Sequence, residues 1–272
     1  MNEFRFKDLF ELRGELSSKV SLICEIIGVG FILAAWQIIT QYKILPTGIF
    51  PSPLKILLAF PELHFHEGLV RNMFYSLKLN LLGTFEAVLL AIPLGFIIGL
   101  FPGFRAISYR YIKAVRYLAL TLLVGVFIAM FGIFDMMKIQ FLAFAIFIYL
   151  LPTVIQRIDE TSQVYLDTIY TLGARKWKTI RYVFIPDVLS RVYPDIVNLA
   201  ALSWTYITIA EVVNTSSGGI GALSFLSSRQ SRIDKTFAII IVILLVGFII
   251  DKVLIALGKA LFPYMYVTKG RR

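Results

Sequence analysis

Long uninterrupted apolar runs constrain this chain more than any other feature. A bilayer core about 30 Å thick is crossed by about 20 apolar residues in a helix, since backbone groups deprived of water must pair within the segment. Runs of this kind cover approximately residues 20–40, 83–101, 117–136, 139–154, 196–213 and 237–257. Only the short polar patch 135–138 separates the third from the fourth. With 58% hydrophobic residues, 16% charged residues and a mean hydropathy of +0.79, the chain is unlike a soluble domain. The expected fold is all-α: a polytopic membrane protein of about six transmembrane helices. One spanning domain, 20–263, lies between a charged N-terminal arm, 1–19, and a basic tail, 264–272.

The net charge of +10 follows membrane topology rather than forming one patch. With both termini on the cytoplasmic side, eighteen of the 27 Lys and Arg residues face inward and seven occupy outer loops. That is the positive-inside pattern of a multi-pass membrane protein, and it makes a nucleic-acid partner unnecessary. Cys24 is the single cysteine and reads as a packing residue within the first span. The first apolar run has full spanning length and lacks a small-residue cleavage site, so it is expected to stay as a helix. Residues 3–19 alternate Phe4, Phe6, Leu9 and Phe10 with charges, as an amphipathic helix on the inner surface would. His64 and His66, beside Glu62 and Glu67, read as a solvated loop rather than a metal site. Glu25 and Glu86 are acids within spans and could pair with a cation such as Lys78 or line a polar path.

One polar interruption, 157–195, is too long for a turn and too patterned for a linker. Its periodicity is helical. Asp159 or Thr161 could cap a helix whose face carries Tyr165, Ile169 and Leu172, and Gly173 could end it in the left-handed conformation. Trp177, Ile180 and Phe184 form the apolar side of a second short helix that Pro186 should stop, with Pro194 marking entry to the next span. On these grounds alone the segment could rest on anionic lipid, each Lys or Arg attracted by about 1 kcal/mol. It could equally dock on a protein.

The residues themselves carry a resemblance. Asp167-Thr-Ile-Tyr-Thr-Leu-Gly173-Ala174, followed by Trp177, Ile185-Pro186 and Pro194, resembles the cytoplasmic coupling motif of ABC importer permeases, with Asp167, Thr168 and Ile169 standing where that family has Glu-Ala-Ala. Phe50-Pro51-Ser52-Pro53, Ser76-Leu77 with Gly83, Ile92-Pro93-Leu94-Gly95 with Gly99, Phe131-Gly132-Ile133, and Ala210-Glu211 followed by Ser217-Gly218-Gly219-Ile220-Gly221 are similar, in order, to the nitrate, sulfonate, taurine and bicarbonate group of that family. Leu79 occupies a position where the group usually has Arg.

The resemblance implies a transport subunit with no catalytic residues of its own. A cytoplasmic ABC ATPase dimer, holding ATP and magnesium, would grip Tyr165, Asp167, Ile169, Leu172, Gly173, Ala174, Trp177 and Pro186. A second permease copy, in a homodimer, and an extracytoplasmic solute-binding protein would complete the importer. The residues agree on one point: without a Gly-x-x-x-x-Gly-Lys-Ser/Thr run, this chain has no usual loop to cradle nucleotide phosphates. On the fifth span Ser203, Trp204, Tyr206, Thr208 and Glu211 are the leading candidates to line a solute path, with Asn198 and Thr205 beside them. With no Arg at the centre of any span, the pattern favours an aromatic or zwitterionic solute over a small inorganic anion. Trp204, Tyr206, Phe131 and Phe134 could stack on it. A self-contained carrier or channel would instead show an inverted repeat or paired broken helices. An intramembrane enzyme would show a catalytic constellation, and neither is seen.

Overall fold

The computed structural model describes residues 17–42, 46 and 48–267. The expected surface helix over 3–19 lies, apart from its last residues, outside the described part, as do residues 268–272 of the basic tail. Among the described residues there is no β-strand. The chain runs α1 (Ser18–Gln41), α2 (Pro53–Phe65), α3 (Leu69–Leu100), α4 (Pro102–Val115), α5 (Leu120–Phe131), α6 (Asp135–Asp159), α7 (Gln163–Thr171), α8 (Lys176–Thr179), α9 (Ile185–Val213), α10 (Ile220–Arg229), α11 (Ile233–Leu261) and α12 (Tyr264–Val267).

Helix α6 is the centre, packed along α3 on one side and α9 on another. Glycines on α3 allow the close approach. A β-carbon at Gly95 would lie 2.5 Å from Val154 Cγ1, and one at Gly99 would lie 2.6 Å from Ile158 Cδ1. The Gly95–Gly99 pair is thus the helix-packing face that its spacing suggests. Leu79, Leu142, Leu150, Ile155, Val188 and Ile207 fill the core between these helices. The apolar surface left exposed on α1 and α5 suits a bilayer rather than water.

Among the described residues five helices are long and apolar enough to cross a membrane, and a sixth span exists only if α4 and α5 count together. Those two meet at a bend of 108°. The third expected span, 117–136, therefore corresponds to the 12-residue α5, about 18 Å long and too short to cross alone. Gly132, with φ of +72°, stops the helix, and the backbone around 116–119 turns before it starts. Hydropathy averages over both breaks. Helix α4 is amphipathic, with Arg105 and Lys113 stacked on Tyr109 at 4.9 and 4.3 Å.

Other spans reach beyond their apolar runs. Helix α3 begins at Leu69, well before residue 83, and α11 covers Ile233–Leu261. The segment between the first two spans contains α2, opened by Pro53 in its first turn and by Ser52, whose hydroxyl accepts a hydrogen bond from Lys55 N at 3.4 Å.

Candidate functional site

The polar interruption folds as a helical knob. Helix α7 carries no buried residue, and Tyr165, Tyr170, Leu172 and Trp177 are all more than half exposed. Its N-cap is Ser162 rather than Asp159 or Thr161. Asp159 belongs instead to the last turn of α6. Its end matches the expectation: Gly173 has φ of +74°, Gly173 N donates to Tyr170 O at 2.9 Å, and Ala174 N donates to Ile169 O at 3.1 Å. This paired closure satisfies carbonyls that a helix end leaves open.

Pro186 does not stop the second helix. The helical path is continuous over Lys176–Val213, 38 residues. A π-helical turn at Ile180–Phe184, closed by Ile185 N donating to Ile180 O, widens the backbone just ahead of the proline. That accommodates a residue with no amide hydrogen, whose ring would otherwise press on the carbonyl four residues back. Pro194 likewise lies inside α9. The second half of the knob and the fifth span are therefore one rod, with Thr179 and Val183 buried where it meets the bundle, and α7 joins it across the turn at 172–175. An apolar cleft of about 430 Å³ lies beneath the knob, lined by Tyr165, Ile169, Leu172, Val183, Pro186 and Tyr264 among others.

Ion pairs clamp the span ends at the base of this knob. Arg157 on α6 holds Asp195 on α9 with two hydrogen bonds of 2.8 and 2.9 Å and reaches Glu160 at 2.7 Å. Arg157 and then Gln156 keep the Glu160 carboxyl below the usual carboxylate range. Arg105 bonds Asp159 with two contacts of 2.5 and 2.6 Å. Arg191 pairs with Asp187 and donates to the carbonyl of Glu160 at 2.9 Å. Fork-shaped guanidinium–carboxylate pairs fix orientation as well as distance. Sequence spacing could not reveal Arg157–Asp195, whose partners lie 38 positions apart.

The opposite end of the bundle holds the proposed path residues. Ser203 is fully buried and donates toward Ala200 O at 2.5 Å and Asn80 Oδ1 at 2.9 Å. Trp204 is 7% exposed and sits in the main core. Thr208 bonds back to the carbonyls of Trp204 and Thr205 on its own helix. Glu211 is fully buried: Oε1 accepts from Ser76 Oγ at 2.5 Å and Oε2 from Gly221 N at 2.8 Å. Ser76 Oγ also accepts from Ile220 N at 2.8 Å, and Asn72 Oδ1 accepts from Gly219 N at 2.8 Å. Within this subunit Glu211 pins the glycine loop to α3 and α9. The open stripe of α9 is instead Asn198, Ala201, Leu202 and Thr205, beside the half-buried Tyr206.

Further polar partnerships escaped the sequence. Lys138, in the patch between the third and fourth apolar runs, is fully buried, 3.5 Å from Tyr75 Oη and in the field of Glu211 and Asp135. Glu86 accepts from Gln140 Nε2 at 2.8 and 2.9 Å, so its partner is an amide rather than Lys78. Glu25 accepts from Ser21 Oγ at 3.2 Å. Near His64 and His66, Glu62 bonds Arg232 and Lys235, while Glu67 bonds Lys235.

A knob of exposed aromatic and apolar residues on an ion-paired frame is the geometry against which relatives can be judged. The profile of the family described as "Binding-protein-dependent transport system inner membrane component" matches residues 91–262. The chain belongs to that family. It is an ABC importer permease, as its motif order suggested. The permease is 25% identical over 275 residues to the taurine transport system permease protein TauC of Escherichia coli (strain K12), covering 97% of each chain. It is 26% identical over 246 residues to the putative aliphatic sulfonates transport permease protein SsuC of Bacillus subtilis (strain 168), covering 88% of this chain and 86% of that one. In fold it is similar to an amino acid ABC transporter, with a TM-score of 0.58 and 17% identity over 75% of this chain and 97% of the other. The MetNI methionine ABC transporter in inward-facing conformations gives a TM-score of 0.56 at 16% identity, over 72% and 95%.

Proposed function

We propose that this permease carries a small sulfonate-bearing organic solute into the cell, powered by a separate ATPase that grips the α7–α8 knob. The observation that carries the reading is the exposed, Gly173-broken knob continuous with a 38-residue rod. Force applied to α7 crosses the Gly173 closure into α8 and then passes through the π-helical turn into α9 along one continuous helical path. The Arg157–Asp195 clamp then makes α6 move with α9. Rigid-body tilting of this kind opens one end of a path while closing the other. ATP and magnesium belong to the ATPase dimer, and an extracytoplasmic binding protein delivers the solute to the end bearing α2 and α10. That orientation places both termini and the knob in the cytoplasm of a cell whose inner membrane holds the permease. Lipid covers the remaining apolar faces.

The path runs between two copies of the chain. The open stripe of α9, with Asn198, Thr205 and Tyr206, faces it, and Phe134, exposed at the start of α6, offers an aromatic surface. The relatives named for taurine and aliphatic sulfonates support the solute class.

The test is purification of the tagged chain from its native host, followed by uptake with alkylsulfonates, nitrate and vitamin precursors. The expected result is co-purification of an ABC ATPase and saturable sulfonate uptake abolished by Gly173→Val, which cannot hold the left-handed closure. No bound ATPase, or uptake untouched by Gly173→Val, overturns the mechanism. Strict nitrate transport overturns the solute class.

A further inference from the structure

At the base of the knob, a second element besides α9 touches the coupling segment. Tyr264, just beyond α11, donates its hydroxyl hydrogen to the carbonyl of Pro186 at 2.9 Å and lines the cleft under α7 together with Ile169 and Leu172. Its ring meets Phe262 edge-on at 6.2 Å, and Phe262 packs on Tyr193 of α9 at 5.7 Å. Tyr193 in turn donates to Leu254 O at 2.7 Å, and its ring lies against Gly258, where a β-carbon would collide with it. These contacts form an aromatic clasp between the end of α11 and the rod that carries the knob.

The other end of α11 is fixed as well. Lys235, in its first turn and nearly fully buried, bonds Glu62 at 2.8 Å and pairs with Glu67. Arg232, just before the helix, holds Glu62 with bonds of 2.8 and 3.2 Å. A 29-residue helix spans about 44 Å, and this one is pinned to the coupling segment at one end and to α2 at the other. A stiff element fixed at both ends transmits displacement, whereas a helix bound only by lipid contact would not.

We infer that Tyr264 is a positioning residue that makes α11 a second lever: it ties the coupling segment to the last span, so that motion of the knob is delivered to the α2–α11 junction at the far side. The inference rests on the permease reading above and adds a route that leaves α9 at its first turn, through Pro186, instead of following its whole length.

The experiment uses the full complex, purified with its ATPase and placed in nanodiscs. With Cys24 replaced by Ser, nitroxide labels at Met130 and Gln230 report the distance between the α5 and α10 ends by pulsed electron resonance, with and without ATP and vanadate. In the otherwise unaltered complex the nucleotide is expected to shift the distance distribution. Tyr264→Ala is expected to abolish that shift while the ATPase stays bound and hydrolyses ATP. Tyr264→Phe keeps the ring and loses only the hydrogen bond, and should change the population ratio of the two states seen in the distance distribution by about fivefold, as one modest hydrogen bond does. A shift in Tyr264→Ala and Tyr264→Phe identical to that of the unaltered complex overturns the inference, as does an unaltered complex that binds its ATPase yet shows no shift. An unaltered chain that retains no ATPase fails earlier and overturns the permease mechanism itself.

Discussion

Ser76 on α3 donates its hydroxyl hydrogen to Oε1 of Glu211 on α9 at 2.5 Å, and neither residue is exposed. The same hydroxyl oxygen accepts from Ile220 N, so one serine joins two spans and the loop between α9 and α10. Ser76→Ala leaves a buried carboxylate oxygen and a buried amide each short of a partner, a loss of about 1–3 kcal/mol for each group so exposed. The melting temperature of the detergent-solubilised protein should fall accordingly. Gly219→Ala should be worse, because its φ of +114° suits glycine and a β-carbon there would strike the Glu211 carboxylate. A Ser76→Ala protein as stable as the unaltered one would show that this serine does not hold the loop.

The contact between Gly95 and Val154 sets how closely α3 approaches α6. Gly95→Leu cannot be accommodated without separating the two helices or displacing Val154, since even a β-carbon would sit 2.5 Å from Val154 Cγ1. Overpacking of this sort costs about 1–3 kcal/mol, occasionally more. The expected outcome is a low yield of monodisperse protein on size exclusion, improved when Gly95→Ala is combined with Val154→Ala. Gly103→Ala, where no atom lies within 4 Å of an added β-carbon, serves as the neutral comparison.

These two sites show where the sequence is legible and where it is not. Gly95 and Gly99 declare a packing face by spacing, and the Gly173 closure follows from a glycine placed after a helical stripe, because both are local backbone requirements. The bend between α4 and α5 and the proline-containing rod of α9 are not legible, since hydropathy weighs side chains and ignores the turn before Leu120 or the π-helical turn before Pro186. Glu211 illustrates a further limit. An acid on a polar span suggests a solute path, but only three-dimensional partners such as Ser76 and Gly221 reveal that its carboxylate is already engaged. Lys138 reads as a loop cation because it lies in the short patch 135–138 between two apolar runs, yet the fold places it in α6 and buries it beside Tyr75 of α3.

The junction of α2 with α11 should respond to acid through Glu62. Arg232, then Lys235, pull its pKa from 4.5 down to about 2, so the folded state holds the proton more weakly than the unfolded chain. The stabilisation is complete above pH 4.5 and is lost as the pH falls toward 2. Hydrogen exchange in α2 should accelerate across that window, and Glu62→Gln should show fast exchange at every pH. Exchange that stays pH-independent, after correction for its intrinsic rate, would exclude the ion pairs as the fastening of α2.

The stripe Asn198–Ala201–Thr205 on α9 is turned away from the subunit core, whereas Ser203 and Glu211 are turned into it. A path between two copies would therefore wet the first set and leave the second dry. In a background with Cys24 replaced by Ser, single cysteines at Asn198, Ala201 and Thr205 should react with a small charged thiosulfonate in membrane vesicles, and protection should appear when a transported sulfonate is added in excess. A cysteine at Ser203 should react at least about tenfold more slowly, because the thiolate that reacts needs access to water. The chemistry of the side chains points the same way. Ser203 already donates to Ala200 O and Asn80 Oδ1, while Asn198 and Thr205 are exposed on the face that this subunit leaves uncovered. Reaction at Ser203 with protection by solute, and none at Asn198 or Thr205, would move the path to the interior of a single subunit and away from the junction of two.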